Sequence, residues 1–189
     1  MNLRRAVFLD RDGTIVEQRA GSLTSPAQLR LLEGAGRAVA ALNQAGWAVV
    51  VVSNQSVVGR GQVSEGTLSR IHAALRQCLA AEGARLDAIY CCPHHPREAL
   101  GMYRRGCDCR KPRPGLLFRA ARELGLDLPS SYMVGDSASD LRAGAAAGCT
   151  SVLVLTGHGR HTAIELRAQL DLVAPGVWEA ARLILGRQG

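Results

Sequence analysis

The chain has 189 residues, 47% of them hydrophobic, and carries a formal net charge of +7. No apolar run reaches the roughly 20 residues of a membrane span, and the N-terminal arginines give way to Asp10 too soon for a signal peptide, so we expect a soluble, cytoplasmic protein of one domain, residues 1–189. The charge suits a nucleic acid or an anionic substrate, but aromatic residues are only 4% and the arginines are scattered, which argues against stacking on single strands.

The first predicted element is a short strand at residues 6–9 that ends in an acidic turn. The strand is apolar and uninterrupted, as in a buried parallel sheet, and Asp10 and Asp12 follow it directly, before Gly13 and Thr14. Ligands bind at this C-terminal edge of open α/β sheets. Carboxylates beside an apolar strand need a paired cation or a metal. The turn alone leaves a plain strand-to-turn junction open as the alternative.

Strands and helices alternate along the rest of the chain. A polar, irregular segment at 15–26 is interpreted as a loop or flap over the site. The apolar periodicity, with capping residues such as Ser64 and Gly46, predicts helices at 35–45, 64–82, 114–124, 138–147, 162–170 and 177–185. Further strands are predicted at 47–52, 86–91, 132–136, 151–155 and 172–174. This alternation predicts a three-layer, Rossmann-like α/β fold, in which helices cover both faces of a parallel sheet.

Polar and charged residues collect where the predicted strands end. Lys111 is the only lysine among 23 Lys and Arg residues, which suggests a position that needs a compact ammonium rather than a guanidinium. Because the C-terminal ends of parallel strands meet at one edge, we expect a single site to contain Asp10, Asp12, Ser53, Asn54, Lys111, Asp136 and Asp140. Asp140 is expected to support Lys111 or Asp136 rather than to bind a metal directly.

These side chains are what phosphoryl transfer to a carboxylate requires. Asp10 is the predicted nucleophile, since a carboxylate is already ionised at neutral pH and needs no base. Mg²⁺, held by Asp10, Asp12 and Asp136, would offset the repulsion between this carboxylate and a phosphate. Ser53 and Lys111 would stabilise charge in the transition state, with the amide of Asn54 as a further donor. Asp12 would protonate the leaving alkoxide and then deprotonate the attacking water.

Four of the six cysteines lie within residues 91–109, and we do not expect disulfides in a chain without a secretory signal. The loop 92–109 contains C-x-H, 12 residues (95–106) and C-x-C, which predicts a closed, structural zinc site formed by Cys92, His94, Cys107 and Cys109. Spacing alone leaves Cys91 and His95 as rival ligands, but strand alternation places Cys91 with Ile89. Reduced thiols without a metal are the remaining alternative.

The acidic turn, the hydroxyl, the lysine and the second acidic motif together resemble the four motifs of the haloacid-dehalogenase (HAD) superfamily. Their order, spacing and position at strand ends all match, in the stretches 10–14, 53, 111 and 135–140. The resemblance implies a Mg²⁺-dependent phosphatase that acts through Asp10.

From Asp10 to about Gly157, the chain is similar to the zinc-loop family of heptose 1,7-bisphosphate 7-phosphatases. The matching stretches are SNQS at 53–56, CPHHP at 92–96, CDCRKPRPG at 107–115 and SYMVGD at 131–136. The resemblance implies removal of the 7-phosphate of D-glycero-D-manno-heptose 1,7-bisphosphate, in a cytoplasmic pathway to nucleotide-activated heptose for lipopolysaccharide or surface glycans. It also implies that Ser53 and Lys111 contact the transferring phosphate and that Asn54, Gln55, Ser56 and Arg110 bind the substrate.

Two positions depart from that family pattern. The flap residues 17–22 lack an acidic-His-Gly-Tyr pattern, which bears on substrate choice, and Ser137 replaces a lysine common after the metal-binding carboxylate. The segments between the motifs hold no separate cap domain, so we expect an open, capless site. His158 and His161 either flank this site or lie on the surface.

Two other functions compete with a heptose bisphosphate phosphatase. Histidinol-phosphate phosphatase shares the core motifs and a zinc loop. A basic zinc module for nucleic acid would use the charge and the cysteines, but it leaves Asp10, Asp12 and Asp136 without a role and has no recognition helix after the zinc ligands. The expected protein is therefore a monomeric enzyme for a small phosphorylated sugar, with no nucleic-acid or membrane partner.

Overall fold

Six parallel strands form one sheet in a computed structural model that describes residues 3–166, 170 and 172–187. The strands are β1 (Ala6–Leu9), β2 (Ala48–Asn54), β3 (Ala88–Cys92), β4 (Tyr132–Gly135), β5 (Thr150–Val154) and β6 (Leu172–Ala174). Their order across the sheet is β3-β2-β1-β4-β5-β6, with every neighbouring pair parallel. From β1 to β3 successive strands are added on one side of β1, and from β4 to β6 they are added on the other side. The topological switch point therefore lies beside β1, at the acidic turn.

Seven α-helices connect and cover the described strands. They are α1 (Ala35–Gln44), α2 (Ser56–Gly59), α3 (Glu65–Ala81), α4 (Gly115–Leu124), α5 (Ala138–Ala146), α6 (Gly159–Leu166) and α7 (Val177–Gly186). The predicted α/β class is confirmed. The four-residue α2 was not predicted, because it is too short to show a helical period.

The predicted helix at 162–170 has a different beginning in the structure. Helix α6 starts earlier, at Gly159, where any side chain would run into the carbonyl of Val154. Glycine is a poor helix former. We attribute its presence at the first position of α6 to the close approach of β5, which leaves no room for a side chain. Residues 167–169 of the predicted range lie outside the described residues.

Alternate residues of the strands face two separate hydrophobic cores, as the two-residue period of a strand requires. Val7 and Leu9 of β1 point to one face, where α1, α3 and α7 pack, and Ala6 and Phe8 point to the other, covered by α4 and α5. Both faces of the central strands are therefore covered by apolar residues. The predicted site residues carried by β1, β2 and β4 lie at the C-terminal ends of these strands or directly after them. In the described part of the chain, no helix has both the length and the apolar character that spanning a membrane would need.

Candidate active site and metal centres

Three buried carboxylates meet at the C-terminal edge of the sheet. Asp10 follows β1, and its N–H donates to the carbonyl of Val134 in the neighbouring β4 at 2.9 Å. Asp136 follows β4, and Asp140 lies in the first turn of α5. One oxygen from each of Asp10, Asp136 and Asp140 lies within 4.8 Å of the others. The fold thus concentrates negative charge at one buried point.

Burial changes the protonation of these carboxylates. It raises the pKa of Asp136 from about 3.8 to about 6, and the negative charge of Asp140 acts in the same direction. Burial also raises the pKa of Asp10, although the ammonium of Lys111 opposes the shift. A carboxylate that is buried without a cation is costly to ionise. Mg²⁺ prefers oxygen ligands and would favour the charged forms, so this donor set fits Mg²⁺.

Lys111 is almost fully buried between two of these carboxylates. Its Nζ donates to Asp10 Oδ1 at 2.6 Å, contacts Asp140 Oδ1 at 2.6 Å and donates to the Val52 carbonyl at 2.7 Å. Burial lowers the pKa of Lys111, but Asp10 and Asp140 outweigh this effect and raise it above its ordinary value. The ammonium is therefore charged at neutral pH, and it contacts Asp10.

Asn54 holds the backbone of Lys111 in place. Its Oδ1 accepts from the Lys111 N–H, and its Nδ2 donates to the Lys111 carbonyl, both at 3.1 Å. This paired contact joins the end of β2 to the loop that carries the lysine. The sequence predicted that Asn54 binds substrate. It did not predict that Asn54 also positions Lys111, because that contact joins segments far apart in the chain and no local pattern shows it.

The carboxylate of Asp12 lies outside the group formed by the other three. The guanidinium of Arg11 contacts both of its oxygens, and Gln55 Nε2 donates to Oδ2 at 2.9 Å. Gln55 also donates to the hydroxyl of Ser53 at 2.9 Å. Of the three predicted Mg²⁺ ligands, the structure brings the carboxylates of Asp10 and Asp136 together and turns that of Asp12 elsewhere.

A glycine turn after β5 holds the carboxylate of Asp136. Asp136 Oδ2 accepts from the N–H of His158 at 2.7 Å, and Thr156 Oγ1 donates to the carbonyl of Gly13 at 2.6 Å. Gly157 lies against Asp136 so closely that an added Cβ would collide with the carboxylate. The side chains of His158 and His161 are exposed, so His158 reaches the described site through its backbone.

The predicted zinc residues converge at the C-terminal end of β3. The sulfurs of Cys92, Cys107 and Cys109 lie 3.2–3.4 Å apart, and His94 Nδ1 is 3.4 Å from Cys109 Sγ. All four ligand atoms lie within 4.8 Å of one another, as three thiolates and an imidazole around one Zn²⁺ require. Burial raises the pKa of Cys92, so binding of zinc must displace protons.

The rival zinc ligands point elsewhere. Cys91 packs against an apolar cluster that includes Val57 and Leu68, on the opposite side of β3 from Cys92. His95 Nδ1 accepts from the N–H groups of Arg97 and Glu98. Strand alternation therefore predicted which of the two adjacent cysteines lies in the Cys/His group.

An open cavity of about 420 Å³ lies beside Asp12. One wall is residues 17–23, part of the predicted flap, and the other is formed by residues 54–57 at the end of β2, with Arg60 and Gln62. Arg60 joins the two walls, because it donates to Ser22 of the flap at 3.3 Å. Arg60 also pairs with Glu98 of the zinc loop at 2.9 Å. Arg110, a predicted substrate ligand, does not line this cavity and donates instead to the carbonyl of His94 at 3.0 Å.

An aspartate pair after the first strand, a hydroxyl at the end of the second, a buried lysine and a distal acidic motif, on a sheet of this topology, define a phosphatase of the HAD superfamily. Residues 108–180 match the HAD-hydrolase-like family model. The chain is an enzyme that hydrolyses phosphomonoesters.

Curated relatives narrow the family. The chain is 42% identical over 158 residues to the D-glycero-β-D-manno-heptose-1,7-bisphosphate 7-phosphatase of Bordetella bronchiseptica, covering 84% of each chain. It is 36% identical to the enzyme of that name from Pasteurella multocida, covering 97% of this chain and 98% of the other. The chain therefore belongs to the D-glycero-β-D-manno-heptose-1,7-bisphosphate 7-phosphatase family.

A solved structure supports the same assignment. The D,D-heptose 1,7-bisphosphate phosphatase of B. bronchiseptica, in complex with magnesium and phosphate, superposes with a TM-score of 0.86. It is 38% identical and covers 97% of this chain and 99% of its own. That relative holds a magnesium ion and a phosphate together, as the donor set described above requires.

Proposed function

We propose that this protein removes the 7-phosphate of D-glycero-β-D-manno-heptose 1,7-bisphosphate during synthesis of nucleotide-activated heptose for lipopolysaccharide or surface glycans. The observation that carries the proposal is the buried group of Asp10, Asp136 and Lys111, with an open cavity lined by the nearby Asp12 and Asn54, in a chain whose relatives bear that name. A small phosphorylated sugar can enter such a cavity with its phosphate directed to the strand ends.

In the proposed mechanism, Asp10 attacks phosphorus and forms an aspartyl-phosphate. Mg²⁺, held by the carboxylates of Asp10 and Asp136 with a contribution from Asp12, would neutralise phosphate charge. Lys111 and Ser53 stabilise the charge on the transferring oxygens. Asp12 protonates the departing sugar oxygen and then deprotonates the water that releases phosphate.

The remaining predicted residues are proposed to bind or position the substrate. Asn54, Gln55 and Ser56 lie on the cavity wall, where Ser56 can donate to a sugar oxygen. Gln55 can accept from a sugar hydroxyl through Oε1, because its Nε2 donates to Asp12 and Ser53. Arg110, which donates to the carbonyl of His94 on the zinc loop, is proposed to bind the second phosphate. Zinc at Cys92, His94, Cys107 and Cys109 would be structural, since all four positions of a tetrahedron are filled by protein.

We also propose that the chain acts as a single catalytic domain, as a monomer in the cytoplasm, without a nucleic-acid partner. Its basic charge then serves an anionic substrate. Light scattering after size exclusion should give the mass of one chain. Duplex DNA at physiological salt should show no binding near micromolar concentration, and salt-sensitive binding there would contradict this part of the proposal.

The function is tested by phosphate release, with Mg²⁺, from both anomers of heptose 1,7-bisphosphate and from histidinol phosphate. We expect a clear preference for a heptose bisphosphate. A preference for histidinol phosphate would overturn the substrate assignment and show that the divergent flap selects the substrate.

The Asp10→Asn variant should fold and lose turnover by at least about 10³-fold, because the amide is not a nucleophile. Appreciable residual activity would exclude Asp10 from that role.

A further inference from the structure

Arg11, between the two catalytic aspartates, is almost fully buried, with 1% of its surface exposed. Its Nε donates to Asp12 Oδ1 at 3.0 Å and its Nη2 to Asp12 Oδ2 at 2.7 Å. This is a two-point contact between a planar guanidinium and a carboxylate, the arrangement that best fixes orientation. The plane of the Asp12 carboxylate is therefore set by the residue next to it.

Gln55 adds a third contact and links the carboxylate to the phosphate-binding hydroxyl. Its Nε2 donates to Asp12 Oδ2 and to Ser53 Oγ, both at 2.9 Å. Gln55 is itself 3% exposed, and its N–H donates to the carbonyl of Cys92 at 2.7 Å, so its side chain has a fixed origin. The position of Asp12 is thus coupled to that of Ser53.

The two oxygens of Asp12 differ in their free hydrogen-bonding capacity. A carboxylate oxygen has two lone pairs. Among the described residues, both lone pairs of Oδ2 are used, one by Arg11 and one by Gln55, whereas Oδ1 accepts only from Arg11. The Asp12 side chain is 30% exposed and lines the cavity. The free lone pair of Oδ1 is therefore the one available to a bound substrate.

We propose that Arg11 and Gln55 are positioning residues that make Oδ1 of Asp12 the proton-transferring atom. In the first half-reaction, Asp10 attacks phosphorus, the bond to the sugar oxygen breaks, and that oxygen takes a proton from Oδ1. In the second, water attacks the aspartyl-phosphate, gives its proton to Oδ1, and the electron pair returns to Asp10. One proton thus passes from water to the sugar through a single oxygen, and the inference rests on the proposed phosphatase mechanism.

The test compares a substrate whose leaving group needs a proton with one whose leaving group does not. Arg11→Lys keeps the charge but cannot contact both oxygens, and Gln55→Met keeps the volume but cannot donate. With heptose 1,7-bisphosphate, kcat of both variants should fall at least about 10²-fold. KM of Arg11→Lys should stay within about threefold, since the loss lies in proton transfer. Arg11→Met should lose more than Arg11→Lys.

With p-nitrophenyl phosphate, the same variants should release about one equivalent of nitrophenolate in a fast burst and then turn over slowly. The first step needs no acid, whereas the second still needs Asp12 as a base. Arg85→Met, which removes an exposed partner of Asp87, should leave both phases as in the wild type. Equal losses in the burst and in the slow phase would overturn the proposal and assign these residues to folding alone.

Thermal unfolding of each variant keeps the test independent of stability. If Arg11 variants do not fold, Gln55→Met decides, because it removes the contacts to Asp12 and Ser53 and leaves the Arg11 pair intact. The activity of the wild-type protein on heptose 1,7-bisphosphate tests the proposed function. The ratio of the burst rate to the slow-phase rate with p-nitrophenyl phosphate tests the positioning role. Failure of one is therefore distinguishable from failure of the other.

Discussion

The ammonium of Lys111 has three N–H groups and meets three oxygens, from Asp10, Asp140 and Val52, at 2.6–2.7 Å. A guanidinium is larger and planar, and cannot donate to three oxygens arranged around one nitrogen. The Lys111→Arg substitution should therefore lower kcat by at least about 10²-fold while keeping the charge.

Phosphate release under saturating substrate measures this effect. Arg122→Lys, the reverse exchange at an exposed position, is the control and should leave the rate unchanged. A wild-type rate for Lys111→Arg would mean that the single lysine of the chain has no special role.

Magnesium should stabilise the protein more as pH rises. The pKa of Asp136 is raised to about 6 in the folded chain, from about 3.8, so the metal-free folded state binds more protons between these values. Stability that is present below pH about 4 is then lost as pH rises through about 6. Mg²⁺ binds the ionised carboxylates and reverses the loss.

Melting temperatures with and without Mg²⁺, at about pH 5 and about pH 7.5, give the measurement. The increase on adding Mg²⁺ should be larger at the higher pH, and it should be small at both pH values in Asp136→Asn. An equal increase at both pH values in the wild type would contradict the assignment of a metal to these carboxylates.

At the scale of elements, the turn between β5 and α6 supports the carboxylate of Asp136, a proposed metal ligand. Gly157 has a φ of +53° and touches Asp136, whereas Gly148, before β5, has a φ of +83° with open space around it. Both positions penalise a Cβ through the backbone, by about 1–2 kcal/mol. Only Gly157→Ala should also displace the carboxylate.

Gly157→Ala should therefore raise the Mg²⁺ concentration for half-maximal activity by about 10-fold or more, the size of effect seen when support of a ligand is lost. Gly148→Ala should lower the melting temperature similarly without changing that concentration. If the two variants have the same Mg²⁺ requirement, the turn acts on stability alone.

At the scale of the whole molecule, the zinc loop connects Lys111 to the segment after β2 that forms one wall of the cavity. Cys109 precedes Arg110 and Lys111, the Leu100 N–H donates to the Gly59 carbonyl at 2.7 Å, and Glu98 pairs with Arg60. The loop 92–109 has little core of its own, so a metal should supply much of its stability.

Cys109→Ser should lose zinc, melt at a lower temperature and lose most activity, because Lys111 is no longer held. Cys78→Ser changes an exposed thiol on α3 and is the matched control. Zinc content, melting temperature and kcat are measured together. Full activity with no bound zinc would show that the loop holds Lys111 without a metal.

Much of this architecture follows from local patterns in the sequence. The apolar runs of β1 and β2, the caps Ser64 and Gly46 and the C-x-H and C-x-C pairs each depend on neighbours within a few residues. Because strand ends in a parallel sheet must share an edge, those patterns also predicted that Asp10, Ser53 and Asp136 would meet.

Tertiary structure decided the orientation of individual side chains. Asp10 and Asp12 are chemically alike in the sequence, yet one faces Lys111 and the other is held by Arg11 and Gln55. The same holds for Asn54, which supports the Lys111 backbone, and for Arg110, which is turned toward His94. These roles depend on contacts between segments far apart in the chain, and neither spacing nor periodicity carries information on which partner a polar side chain will find.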